Sequence, residues 1–152
     1  MNRFKKRILS PLERRIFYGV TFILWLTGTI WLFFRYGVPV EDEFGPQTHP
    51  AQTMMLKIHG LAAMAFLFIV GELIHHIRPG WRRKQQRPSG ASLLFFSGFL
   101  ILTGWGLYYA GDERFRNWMS AMHSIIGFLL PVIIFLHVWN VYRRLKIKEK
   151  EL

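Results

Sequence analysis

The sequence contains no cysteine. Disulfides, thiolate-ligated iron–sulfur clusters and the covalent C-x-x-C-H haem attachment are all excluded by that one absence. Acids are scarce as well, 9 Asp and Glu against 20 Lys and Arg, for a formal net charge of +11. Strand-like alternation of apolar and polar residues is missing too, so a transmembrane barrel is not expected. A basic excess would by itself suggest nucleic acid. Its distribution argues against that partner, because sixteen of the 20 Lys and Arg fall within residues 1–15, 78–90 and 143–152.

Between the basic segments lie four long apolar runs, and half of the 152 residues are hydrophobic. A bilayer crossing takes about 20 residues, and with no water at its centre the backbone must bond to itself as helix. The expected fold is therefore all-α, a polytopic membrane four-helix bundle forming one domain over residues 1–152. Its helices span about 16–36, 53–77, 91–110 and 117–142. The basic segments share one side of a four-pass chain, which the positive-inside rule makes cytoplasmic. Both termini are then cytoplasmic, and the expected location is a bacterial inner membrane. Membrane lipid is the first partner, with anionic headgroups attracting the basic segments. The opening MNRFKKRILSPLERR looks like a signal-peptide n-region, but the apolar run behind it lacks a small-residue cleavage pattern and suits a first membrane helix.

Helix one, IFYGVTFILWLTGTIWLFFRY, has no histidine or acid and is apolar on every face. Such a helix packs and seals, and no chemistry is expected of it. The loop behind it carries Glu41, Asp42 and Glu43 in a row, followed by His49. The acids suit a solvated surface or a docking patch for a basic partner. His49 suits a surface residue or a lid.

The chemistry concentrates in helices two and four. In helix four His123 and His137 are fourteen residues apart, which is about 21 Å of rise and about 40° short of four full turns. Both imidazoles look out over nearly one face. Histidine in hydrocarbon is costly and usually functional; the plainer alternative is a polar residue satisfied by a neighbouring hydroxyl or carbonyl. Helix two holds His59 near its outer end and His75 and His76 near its inner end. Helices two and four run in the same direction, so His59 shares a depth with His123, and His75 or His76 with His137. From His59, His76 is about 100° off the starting face and His75 about 160°. Facing favours His76 and depth slightly favours His75.

Two His–His pairs at two depths call for two metal-centred cofactors. A bare ion would need more protein ligands than both depths offer. Haem brings four equatorial nitrogens, and two axial imidazoles complete an iron suited to electron transfer. Gly60 beside His59 and Gly127 one turn after His123 leave room for a macrocycle. Arg114, Arg116 and Lys57 outside, and Arg78 inside, are candidate propionate partners. Glu72 suits a hydrogen bond to a ligand imidazole, a proton shuttle at a quinone site, or a protonated acid within the bundle. Helix three carries Gly98, Gly104 and Gly106 with Ser97 and Thr103, which fit helix packing and a flat cofactor equally well. Pro131 between the two histidines of helix four is expected to kink it.

A four-helix membrane chain with two histidines on helix two and two, fourteen apart, on helix four resembles the di-haem core of the cytochrome b family, small bacterial four-helix members included. The resemblance implies two non-covalent b-type haems. The outer one would lie between His59 and His123 and the inner one between His76 and His137, with His75 as the alternative to His76. It also implies electron transfer between a quinone pool and a periplasmic or membrane redox protein. A self-contained oxidoreductase, for example superoxide to quinone, is the alternative by the same resemblance, and a non-redox membrane anchor is a third reading. Two features depart from the family: helix two separates His59 and His76 by seventeen residues, a longer spacing, and the Pro-Glu-Trp-Tyr segment of bc-type quinol-oxidising sites is absent.

Overall fold

The computed structural model describes residues 10–38, 40–43, 45–73, 77 and 87–150. Four helices carry the described residues: α1 (Pro11–Tyr36), α2 (Pro50–Glu72), α3 (Arg87–Tyr109) and α4 (Glu113–Lys150). A short ribbon, β1 (Val40–Asp42) and β2 (Gly45–Gln47), joins α1 to α2. All four helices are long and apolar enough to cross a membrane. Their outer faces agree with that solvent: Phe68 is 79% exposed and Leu61 70%, a distribution that water would penalise and acyl chains would not.

Local chemistry explains why the helices start where they do. Ser10 caps α1 by accepting from the Glu13 amide at 3.2 Å, while Glu13 accepts from the Ser10 amide at 2.7 Å. With Pro11 at the first helical position this is a capping box, so α1 begins five residues before the expected 16. Asp112 caps α4 by accepting from the Phe115 amide at 2.7 Å. At its other end α4 continues to Lys150, past the expected 142, because the charged segment after Tyr142 is rich in good helix formers. Pro131 lies inside this uninterrupted helix.

The ribbon was not expected. Val40 pairs with Gln47 and Glu41 with Pro46, antiparallel, and Gly45 turns the chain at φ +101°, a conformation that suits only glycine. Three-residue strands are too short to show alternation.

The described residues divide into two compact units, one of Ser10–Gly71 and the other from Glu72 onward. In the first, α1 and α2 pack through Phe17 and Phe66, whose ring centroids are 6.0 Å apart. Gln52 Nε2 donates to the Phe34 carbonyl at 3.3 Å. In the second, α3 and α4 pack closely through small residues on α3. A Cβ added at Gly106 would lie 2.8 Å from Met119 Sδ. Ser97 on α3 and Leu130 and Ile134 on α4 are buried.

Candidate functional site

In the first unit the polar centre is Thr27 with His59. Thr27 Oγ1 donates to the Ile23 carbonyl one turn back, at 2.7 Å, with the Leu24 carbonyl at 3.2 Å. That hydroxyl has a single proton, and the helix takes it. Its oxygen, 3.0 Å from His59 Nδ1, is left to accept. The network therefore assigns His59 the Nδ1–H tautomer, with the lone pair on Nε2. Gly28 lies beside the same ring: a Cβ there would be 3.5 Å from Cε1. Helix one thus contributes Thr27 to the contact, and a histidine satisfied by a neighbouring hydroxyl is the arrangement that the plainer reading of the sequence describes.

The second unit repeats the arrangement. Thr103 Oγ1 donates to the Phe99 carbonyl at 2.8 Å and lies 2.9 Å from His123 Nδ1. His123 is thus also Nδ1–H. A Cβ at Gly104 would be 3.2 Å from His123 Cε1, so only glycine leaves the ring where it is.

A further contact follows two helical repeats along. Ser89 Oγ is 3.2 Å from His137 Nδ1, and a Cβ at Gly90 would be 3.8 Å from its Cε1. Ser89 and Thr103 are fourteen residues apart on α3, as His123 and His137 are on α4. Antiparallel helices with one register bring both hydroxyl–glycine pairs opposite both histidines.

The other expected residues are placed less tellingly. His75, His76 and Arg78 lie outside the described residues. Glu72 ends α2 with an exposed side chain, and Gly60 is half-buried beside His59. Gly127 faces α3, where a Cβ would make ordinary contact with Leu100 at 3.7 Å. Arg114 and Arg116 are exposed in the first turn of α4, and Lys57 is exposed on α2. His49 is partly exposed; its ring stacks on Phe34 with centroids 4.4 Å apart, and its Nδ1 accepts from the Ala51 amide at 3.1 Å.

Sequence reasoning missed Thr27, Gly28, Ser89 and Gly90, and saw Thr103 and Gly104 only as small residues. The signal was a Ser/Thr–Gly dipeptide whose spacing on α3 matches the histidine spacing on α4. Among the described residues no three His, Cys, Asp or Glu come together to hold an ion. Comparison with family models, curated proteins and solved structures finds no match for this chain.

Proposed function

We propose that the chain is a b-type di-haem cytochrome of a bacterial inner membrane, carrying electrons between a quinone pool and a periplasmic or membrane redox partner. His59 and His123 are the axial ligands of one haem. His137 with His76, or His75 in its place, holds the other. Residues 1–152 then form one cofactor domain, with the basic segments and termini on the cytoplasmic side.

The observation that supports this most is the tautomer. Thr27 and Thr103 each spend their hydroxyl proton on their own helix and accept from a histidine Nδ1. Ligand histidines need their second ring nitrogen held in that way, because it directs the Nε2 lone pair at the metal. The donor set suits a porphyrin better than a bare ion, which two imidazoles would leave short of ligands. When bound, haem supplies one-electron chemistry at the iron. The chain's part is to hold the rings, keep water out of the apolar interior and bind the propionates near the membrane surface, where Arg114 and Arg116 are the outer candidates and Arg78 the inner one.

The test is direct. Chain purified from haem-replete cells should give a reduced b-type spectrum with two haems per chain, and His123→Ala and His137→Ala should each remove one. A colourless protein would end the proposal, and a variant retaining both haems would end that ligand assignment.

A further inference from the structure

We infer that Thr27–Gly28 and Thr103–Gly104 are positioning sockets that fix the ring plane and the electron donation of His59 and His123, whereas Ser89 gives His137 a hydroxyl contact without the same fixed direction. The inference rests on the di-haem reading and deepens it. Each socket has two working parts. The hydroxyl fixes one ring nitrogen, and the glycine lets the ring edge lie against the helix backbone.

The hydroxyl's direction matters more than its presence. A serine or threonine free to rotate accepts from an Nδ1–H tautomer or donates to the Nδ1 lone pair of an Nε2–H tautomer. Thr27 and Thr103 are not free, because their protons go to the Ile23 and Phe99 carbonyls at 2.7 and 2.8 Å. They act as acceptors only, and an imidazole meeting an acceptor must bring Nδ1–H. A neutral hydroxyl also polarises the ring without removing its proton, as a carboxylate would tend to do, so the ligands stay neutral imidazoles with modestly raised basicity. More basic axial ligands favour ferric iron.

The glycines set the rest. A Cβ at Gly104 would sit 3.2 Å from His123 Cε1, and one at Gly28 3.5 Å from His59 Cε1. The His123 ring is clamped between a hydroxyl on one nitrogen and backbone at the adjoining carbon, whereas at His59 a methyl group would make only ordinary contact. At His137 the hydrogen bond lengthens to 3.2 Å and the gap at Gly90 to 3.8 Å. That ring has more play.

The experiment compares Thr103→Val, which keeps the shape and loses the acceptor, with Thr103→Ser, which keeps the acceptor. Redox titration of the full chain should show Thr103→Val raising the midpoint potential of one haem while the other is unmoved, with Thr103→Ser returning it toward wild type. In ¹⁵N-histidine-labelled protein, reduced and diamagnetic in lipid, the His123 Nδ1–H resonance should move upfield in Thr103→Val only. Two haems bound with neither the potential nor the resonance altered would overturn the sockets and leave the cytochrome reading standing. A chain that binds no haem would end the cytochrome reading. The resonance then decides alone: a single Nδ1–H tautomer lost in Thr103→Val supports the socket, and mixed tautomers in the wild type overturn it.

Discussion

Thr103 Oγ1 stands 2.9 Å from His123 Nδ1 and gives its own proton to the Phe99 carbonyl, 2.8 Å away. One hydroxyl thereby ties a helix backbone to the tautomer of a histidine on the next helix. Thr27 does the same for His59 from α1, at 3.0 and 2.7 Å. Two helix pairs present the same Leu-x-Leu-Thr-Gly segment, residues 24–28 on α1 and 100–104 on α3, to a histidine of the next helix.

Adding a methyl group beside the rings should separate the two sockets. In Gly104→Ala the new Cβ would lie 3.2 Å from His123 Cε1, so ring or helix must shift, whereas at Gly28 the 3.5 Å distance is ordinary contact. Overpacking of this kind costs about 1 to 3 kcal/mol. Gly104→Ala should lower the haem-to-protein ratio and the unfolding temperature in detergent, and Gly28→Ala should change either much less. Equal effects would show that the clearance at Gly104 is not what the site needs.

Gly106 makes a contrasting case on the same helix. Its nearest neighbour is Met119 Sδ, 2.8 Å from where a Cβ would be, but methionine is flexible and yields. Gly106→Ala should therefore cost little, under about 1 kcal/mol, whereas Gly106→Val should cost about 1 to 3 kcal/mol. Pairing Gly106→Val with Met119→Ala should recover most of the loss in a thermal melt.

Removing the cap of α1 should fray its start without touching the site. Ser10→Ala loses the acceptor for the Glu13 amide and should cost about 1 kcal/mol. Hydrogen exchange should quicken over Leu12–Phe17 and stay unchanged around Thr27, with both haems retained.

The helices and the site were legible to different degrees, for physical reasons. Hydropathy marks helices because every residue of a long apolar run adds to the signal. Helix ends escape it: Ser10 starts α1 through a cap, and α4 runs beyond Tyr142 because Lys and Glu are good helix formers that hydropathy discounts. The ribbon hides because three residues cannot display a period. His59, His123 and His137 stand out because imidazole is rare and costly in hydrocarbon. Their partners do not, since a Ser/Thr–Gly dipeptide reads as ordinary small-residue packing. Ser97–Gly98 proves the point: it has the same composition, yet a Cβ at Gly98 meets nothing within 4 Å. The shared fourteen-residue spacing on α3 and α4 marks Ser89–Gly90 and Thr103–Gly104, and it becomes visible once the two helices are known to be antiparallel neighbours.

Orientation in the membrane is the last prediction, and the lack of native cysteine makes it simple to test. With three basic segments on one side of four spans, the positive-inside rule predicts that side to be cytoplasmic and the ribbon between α1 and α2 to face outward. Two single-cysteine variants report the two sides: Glu41→Cys in β1 and Lys146→Cys near the end of α4, both at exposed positions. A membrane-impermeant maleimide applied to intact spheroplasts should label Glu41→Cys and spare Lys146→Cys, which should react only after the membrane is opened. The reverse pattern would invert the chain. Labelling of both positions in intact spheroplasts would mean an even number of crossings between them, and so one of the three helices that separate them does not span.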